Sequence, residues 1–383
     1  MGTIKRMRVK MMLLTSKMIK DKAKELGIDD IGIGNIERFD NAPPLMSVKN
    51  YFPGAKSVIA IVMRIPRGSY RGIEEGTHWH NYTFYSYNRL NTTIRPRLTY
   101  ELSRFIEDFG WEAVPHYPGV PERNPAMEPV APGKLPPNIV TSIRLVAAGT
   151  GVGEIGHSKV FLNKKFGPRL RLGLIFTDAK LKPDPILETG TICSHCGACV
   201  RKCPGNAVPP VNDKLSKVEI DYGEKKVYYG NVQMGRCTLT HHGFNNEISP
   251  FLKKSFPNME FEVKNSNMSE EEAYRLCYPM AQAQWGATFN DNNNKSVIEY
   301  YDYVMKHVGY FAVCGAKGCI RACMDSLENS KRITNTFKNP FYRKKSWVLS
   351  NKPEEIAEGI NPFRNEWLDK NYPGIRENEE KNI

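Results

Sequence analysis

With 383 residues, 40% of them apolar and 25% charged, the chain has the make-up of a folded globular protein of one large domain or two to three smaller ones. No run of about 18 apolar residues occurs, so no membrane-spanning helix is expected. The formal charge of +13 is scattered, with small groups at Lys164-Lys165, Arg169/Arg171 and Arg343-Lys344-Lys345, and this argues for a diffuse positive surface over a nucleic-acid patch.

Residues 1–14 are basic with a short apolar run, Met11-Met12-Leu13-Leu14, too short for a secretory segment and without a twin-arginine pair before it. The expected location is cytoplasmic, where nine cysteines favour metal or redox use over disulfides. Residues 15–27 predict a helix, capped by Thr15 or Ser16 and ended by Gly27. Residues 28–34 alternate as a strand, and 57–63, apolar throughout, suit a sheet interior. This order indicates an α/β or α+β first domain.

From His78 to Tyr87 the chain is dense in aromatics. They fit a helix running on through Leu90 and Ile94 with a break at Pro96, and the spacing Tyr82, Tyr85, Arg89 fits equally a face that lines a ligand. A helix carrying Leu98, Leu102, Phe105 and Phe109 follows to Gly110, and then a short strand over 111–117. Residues 117–137 hold seven prolines, which predicts a loop or lid in place of a regular element. A helix over 139–148 leads into the turn Gly149-Thr150-Gly151-Val152-Gly153-Glu154-Ile155-Gly156. It lacks both the Rossmann spacing and the preceding strand, so a dinucleotide loop is disfavoured. Residues 160–162 and 170–178 predict a hairpin, and 183–185 a linker. Short strands and turns are expected over 204–235, helices over 268–283 and 297–307, and a polar loop at 290–294. From 333 a tail with Phe337, Phe341 and Trp347 is expected to wrap the core, polar beyond Tyr372.

The chemistry-bearing stretch is Cys193-Ser194-His195-Cys196-Gly197-Ala198-Cys199-Val200-Arg201-Lys202-Cys203-Pro204. Its C-x2-C-x2-C-x3-C-P spacing matches iron–sulfur ligation in bacterial ferredoxins, in which the fourth cysteine reaches a second cluster. Cys314-x4-Cys319-x3-Cys323 lies downstream, with Cys237 and Cys277 between. A zinc knuckle and a disulfide framework are the alternatives, but zinc takes paired C-x2-C clips. Two oxidised cubanes would bring the net charge to roughly +9.

Taken in order, Pro53-Gly54-Ala55-Lys56-Ser57-Val58-Ile59, Gly110-Trp111-Glu112-Ala113-Val114-Pro115, the turn 149–156 with His157, the segment Phe166-Gly167-Pro168-Arg169-Leu170-Arg171-Leu172-Gly173-Leu174-Ile175-Phe176-Thr177-Asp178 and the Cys193 motif resemble the reductive dehalogenase family and its relative, epoxyqueuosine reductase. The likeness runs from about residue 20 to 325, poorly over 209–310. It implies an α+β fold: a nitroreductase-like α/β core (1–185) holding a corrinoid (cobalamin), an inserted ferredoxin-like module with two [4Fe-4S] clusters (186–330, itself carrying an insertion at about 209–310) and a wrapping tail (331–383).

By the family's pattern Cys193, Cys196, Cys199 and Cys323 would hold the cluster near the corrinoid, and Cys203, Cys237, Cys314 and Cys319 the other, leaving Cys277 spare. The second set departs from the family spacing, and Met324 replaces its proline, so Cys277 remains an alternative ligand. The activity implied is a reductive cleavage of a C–halide or C–O bond in a small organic substrate, fed by a low-potential ferredoxin or flavodoxin. A buried tyrosine beside a cation would act as the acid. Tyr117 and His116 are the first candidates, with Tyr85 and Arg144 behind them; Tyr82, Gly151, Gly153 and His157 are candidates for the cofactor wall. An electron carrier serving a partner corrinoid protein is the second reading. A tRNA-modifying reductase is the third, weakened because Pro136-Pro137-Asn138 stands where its catalytic aspartate is expected.

Overall fold

In the computed structural model the described residues are 13–75, 78, 80–116, 128–137, 139–245, 247–248, 262–281 and 314–341. Tyr117, the first half of the proline-rich loop, the 290–294 loop, the 297–307 helix and the tail beyond 341 lie outside them.

Helix α1 (Ser16–Glu25) begins as its cap predicts, with the Met18 N–H donating to the Thr15 hydroxyl at 3.3 Å, and the chain leaves it through Gly27 at φ +78°. Strand β1 (Asp30–Asn35) pairs antiparallel with β2 (Ser57–Arg64), and every β2 residue up to Met63 is buried. After β2 come the short helix α2 (Arg71–Glu75) and α3 (His80–Thr83), and α3 widens into π-helical turns over Phe84–Asn88 and Leu90–Ile94 before tightening to α4 (Arg95–Glu107). The expected break at Pro96 does not occur. Pro96 falls in the first turn of the α-helical stretch, where a missing N–H is tolerated. In the wider π coil Tyr87, Asn91 and Arg95 share one face.

Strand β3 (Ala113–Pro115) is an edge strand, the position in a sheet that accepts a proline. Helix α5 (Ile143–Gly149) starts later than its sequence suggests, with Ser142 before it. The predicted hairpin is not formed. Instead β5 (Phe161–Leu162) pairs with β4 (Glu154–Ile155), and β6 (Leu170–Thr177) enters the main sheet between β2 and β3, giving the all-antiparallel order β1-β2-β6-β3. A strand apolar on both faces needs a covered, doubly paired position, which a surface hairpin cannot supply.

Helices α1 and α4 cover one face of the sheet, on Ile33, Ile59, Ile61 and Ile175; α5 covers the other, on Val58, Ala60, Val62, Leu174 and Phe176. This period-two division fixes the strand register, each buried aliphatic side chain contributing roughly 1.5–3 kcal/mol.

The rest of the chain adds helix α6 (Ala198–Arg201), the hairpin β7 (Lys217–Asp221) and β8 (Lys226–Gly230), and helices α7 (Met234–His241), α8 (Glu270–Ala281), α9 (Cys314–Lys317) and α10 (Cys319–Asn329). Helix α8 begins with a capping box: Ser269 Oγ accepts from the Glu272 N–H at 3.2 Å, and the Ser269 N–H donates to Glu272 Oε2 at 2.8 Å. Residues from α2, α3, α7, α8, α9 and α10 share one core around Tyr70, Ile73, Tyr82, Leu239 and Cys277. Fully buried Met324 belongs to it, and α10 runs unbroken through this position, which the family's proline would not permit. The molecule is a mixed helix-and-sheet fold, and among the described residues no helix is long and apolar enough to cross a membrane.

Candidate redox site and adjoining cavity

The first cysteine loop is pinned from beneath by Glu154. This carboxylate, 3% exposed, accepts from the Cys193 N–H at 2.5 Å. Burial pushes its carboxyl above the ordinary range, and the amides of Cys193, Ile192 and Thr191 oppose that shift. Left-handed turns at His195 (φ +52°) and Gly197 (φ +70°) then curl the chain, and Arg201 holds the Cys196 carbonyl at 3.0 Å. As a result Cys193, Cys196 and Cys199 line one small pocket together with Cys323 from α10. Burial and the neighbouring Cys193 and Cys199 hold the Cys323 thiol well above its usual value, and burial and Cys193 raise Cys199 to about 11.

Cys203, Cys237, Cys314 and Cys319 form a second group. Burial raises Cys314 and Cys319, and each is raised further by Cys237 and Cys203; Cys237 stands at about 11 through burial and Cys203. Cys319 also feels Cys199, so the two groups adjoin. Gly318 permits the tight turn between α9 and α10, since a Cβ there would lie 3.0 Å from Cys314 Sγ and 3.2 Å from Pro204. Cys277 stands apart in the helical core, its thiol pushed to about 12 by burial alone.

All nine thiols are free. Among the described residues no group of three or more His, Cys, Asp or Glu converges tightly enough to hold a single metal ion. The C-x2-C-x2-C-x3-C-P spacing of the first group is that of iron–sulfur ligands and not of the paired C-x2-C clips that zinc takes. Burial holds Cys199 and Cys323 in the first group, and Cys237, Cys314 and Cys319 in the second, above the ordinary thiol range, so a cationic centre would be needed before these can ionise.

The second group opens onto a cavity of about 410 Å³, or about 1510 Å³ with its open mouth, and Cys237, Cys314 and Cys319 lie in its wall. That is within the usual range of small-molecule sites, about 300–1,000 Å³. Tyr87, Asn91 and Arg95 come from the π-to-α helix, Arg144 from α5, Arg171 from β6 and His241 from α7. The Arg171 guanidinium lies 4.2 Å from the centre of the Tyr87 ring, and His241 stands 5.5 Å from it on another side. Burial raises the Tyr87 phenol and Arg171 pulls it back. Burial and three neighbouring cations or imidazoles (His242, Arg171, Arg144) hold His241 neutral, well below its usual value.

Of the residues singled out from sequence, Arg144 lines this cavity, donating to the Lys159 carbonyl at 2.8 Å. Tyr82 is fully buried behind the wall, its hydroxyl against Gly315, where any Cβ would collide with it. Tyr85 turns outward and is 47% exposed. His116 is buried against Tyr51 and Phe176, at ring distances of 4.9 and 6.0 Å, and does not line the cavity. Burial first and Arg95 second lower its pKa to about 4, so the imidazole is neutral. His157 sits at the first thiol pocket with Nε2 2.8 Å from the Pro209 carbonyl. Gly151 and Gly153 pack against backbone: a Cβ would collide with the Pro185 carbonyl at one and the Leu162 carbonyl at the other.

Tyr87, Asn91, Arg95, Arg171 and His241 were not legible as cavity residues. Tyr87 stands in the aromatic run, but α-helical spacing selects Tyr82 and Tyr85, and the π turns rotate the face. Cys237, Cys314 and Cys319 of the second thiol group line this cavity, and the first group lines the smaller pocket.

Two adjoining groups of thiols thus lie beside an open-mouthed cavity. No protein-family model matches the chain. Over 70 residues it is 34% identical to the tetrachloroethene reductive dehalogenase of Desulfitobacterium hafniense, covering 18% of this chain and 13% of that protein. Over 61 residues it is 36% identical to the epoxyqueuosine reductase of Pseudomonas aeruginosa, covering 16% and 17%. The chain thus spans less than a fifth of the length of these curated relatives. Among solved structures it is similar to epoxyqueuosine reductase from Streptococcus thermophilus (17% identity, 51% of this chain and 54% of that one, TM-score 0.35) and to a catabolic reductive dehalogenase (16%, 89% and 42%, TM-score 0.42). The curated relatives bear out the resemblance to the reductive dehalogenase and epoxyqueuosine reductase superfamily over that matched stretch.

Proposed function

We propose that the protein is a cytoplasmic reductase dependent on two [4Fe-4S] clusters and a corrinoid, cleaving a C–halide or C–O bond of a small organic substrate. The observation that carries this is the cavity itself, lined by three thiols of the second group, Cys237, Cys314 and Cys319, and by the Tyr87–Arg171 pair. Cys193, Cys196, Cys199 and Cys323 would hold one cluster, and Cys203, Cys237, Cys314 and Cys319 the one beside the cavity. Residues 186–330 would make up most of this cluster module.

When bound, the clusters supply single low-potential electrons and the corrinoid a reducible metal at which the carbon–heteroatom bond is broken. The balance is one substrate, two electrons and one proton in, the reduced carbon and the leaving anion out. Tyr87 supplies the proton from its phenol. Arg171 stabilises the phenolate left behind, so the proton moves without a free ion pair forming in a buried space. Arg95 and Arg144 give the wall a positive character that suits an anionic leaving group or substrate carboxylate. His241, kept neutral, neither competes for that charge nor repels the cations.

The test is anaerobic reconstitution with iron, sulfide and cobalamin, followed by desalting, metal analysis and EPR. About eight irons and about one cobalt per chain support the reading. Iron without retained cobalt leaves an electron carrier, and absence of both sinks the proposal.

A further inference from the structure

A second hollow, about 1010 Å³, lies at the surface beside the first thiol group. Its wall includes Cys196, the only exposed cysteine of the nine. Lys202, Lys331 and Lys338 stand around it, exposed and without a carboxylate partner among the described residues. The two acids in the same wall are engaged from behind: Glu328 with Arg67 at 2.8 Å and Arg169 at 3.8 Å, Asp325 with Arg321. The floor is aromatic, with Phe337 42% exposed under the Arg67 guanidinium at 3.6 Å. The groove therefore joins an uncompensated cationic rim, an apolar floor and an exposed thiol, while the reaction cavity opens on the other thiol group.

We propose that this groove docks an acidic, one-electron carrier protein, so that electrons enter at Cys196, cross the first cluster to the second and emerge in the reaction cavity. The inference rests on the iron–sulfur reading above and adds the port and the partner's charge. Three lysines without a carboxylate partner among the described residues call for an acidic face, and an apolar floor at Phe337 suits the rim-and-core anatomy of a transient protein interface. In the step itself the carrier loses one electron and the first cluster gains it; no bond or proton changes place.

The experiment uses the reconstituted chain and a small acidic bacterial ferredoxin as the probe. Anaerobic stopped-flow follows bleaching of the iron–sulfur absorbance on mixing with the reduced ferredoxin, in parallel with dithionite, which needs no docking face. In the wild type the ferredoxin rate falls as salt rises, through screening of the encounter. Lys202→Glu/Lys331→Glu/Lys338→Glu is expected to lower that rate at least about tenfold at low salt, well beyond its effect on the small anion dithionite, and to leave the iron content unchanged. Should the triple variant lose iron, Lys331→Glu/Lys338→Glu, which lies outside the cysteine loops, carries the same expectation. An unchanged ferredoxin rate overturns the proposal, as does salt-sensitive tRNA binding lost in the same variants, which would make the groove a nucleic-acid face. A reconstituted chain that retains no iron and shows no iron–sulfur absorbance overturns the underlying iron–sulfur assignment itself.

Discussion

Tyr87 and His116 show how the same physics gives two buried groups opposite uses. Burial raises the Tyr87 phenol, and the nearby Arg171 keeps the phenolate accessible as a transient species. Tyr87→Phe is therefore expected to cut turnover by about 10²-fold or more with iron and cobalt retained, whereas Tyr85→Phe, on the outer surface, leaves turnover unchanged. Equal activity in the Tyr87 variant would remove it from the mechanism. His116 is neutral in the folded protein, its pKa lowered from 6.5 to about 4. Between these two values the unfolded chain binds a proton that the folded chain refuses, so stability rises with pH from about 4 to 6.5 and is lost on acidification through that window. The contribution is up to about 3 kcal/mol, and His116→Phe, which keeps the stacking on Tyr51 and Phe176, should flatten the pH dependence of the urea midpoint there. A slope as steep in the variant would place the acid sensitivity elsewhere.

Among elements, the Gly149–Gly156 turn and the cysteine helices differ in what they do. Gly151 sits at φ +77° with the Pro185 carbonyl filling the space of a Cβ. Gly151→Ala should cost about 1–3 kcal/mol in denaturant unfolding without changing the iron bound per folded molecule. Selective loss of a cofactor would instead make the turn part of a binding site. Cys323 reaches the first thiol pocket from α10, and Cys277 on α8 reaches neither pocket. Cys323→Ser is expected to lose about half of the iron, and Cys277→Ala none. Iron loss in the Cys277 variant would reassign the second quartet. The π-helical turns add a different lesson: heptad-like counting predicts the helix but not its face, because an i→i+5 bond pattern rotates every residue beyond it.

At the scale of the molecule, the thiol groups bind together a loop, helix α7 and the pair α9 and α10, elements far apart in sequence. Chelation of iron should therefore lower the thermal midpoint and expose α10 to proteolysis, because metal binding and folding are coupled when ligands come from separate elements. A chelated protein as resistant as the loaded one would show that packing alone suffices.

The amino-acid order by itself determined the cysteine motif, α1 with its cap, the apolar strand β2 and the superfamily resemblance, since each rests on local spacing or local propensity. Only the tertiary structure decided that β6 is an interior strand and not half of a hairpin, that the second thiol quartet meets the cavity, and that Tyr87 and Arg171 face each other there. Those facts depend on which distant segments share a face. Burial, charge pairing and strand order are set by packing of the whole chain, which no local spacing encodes.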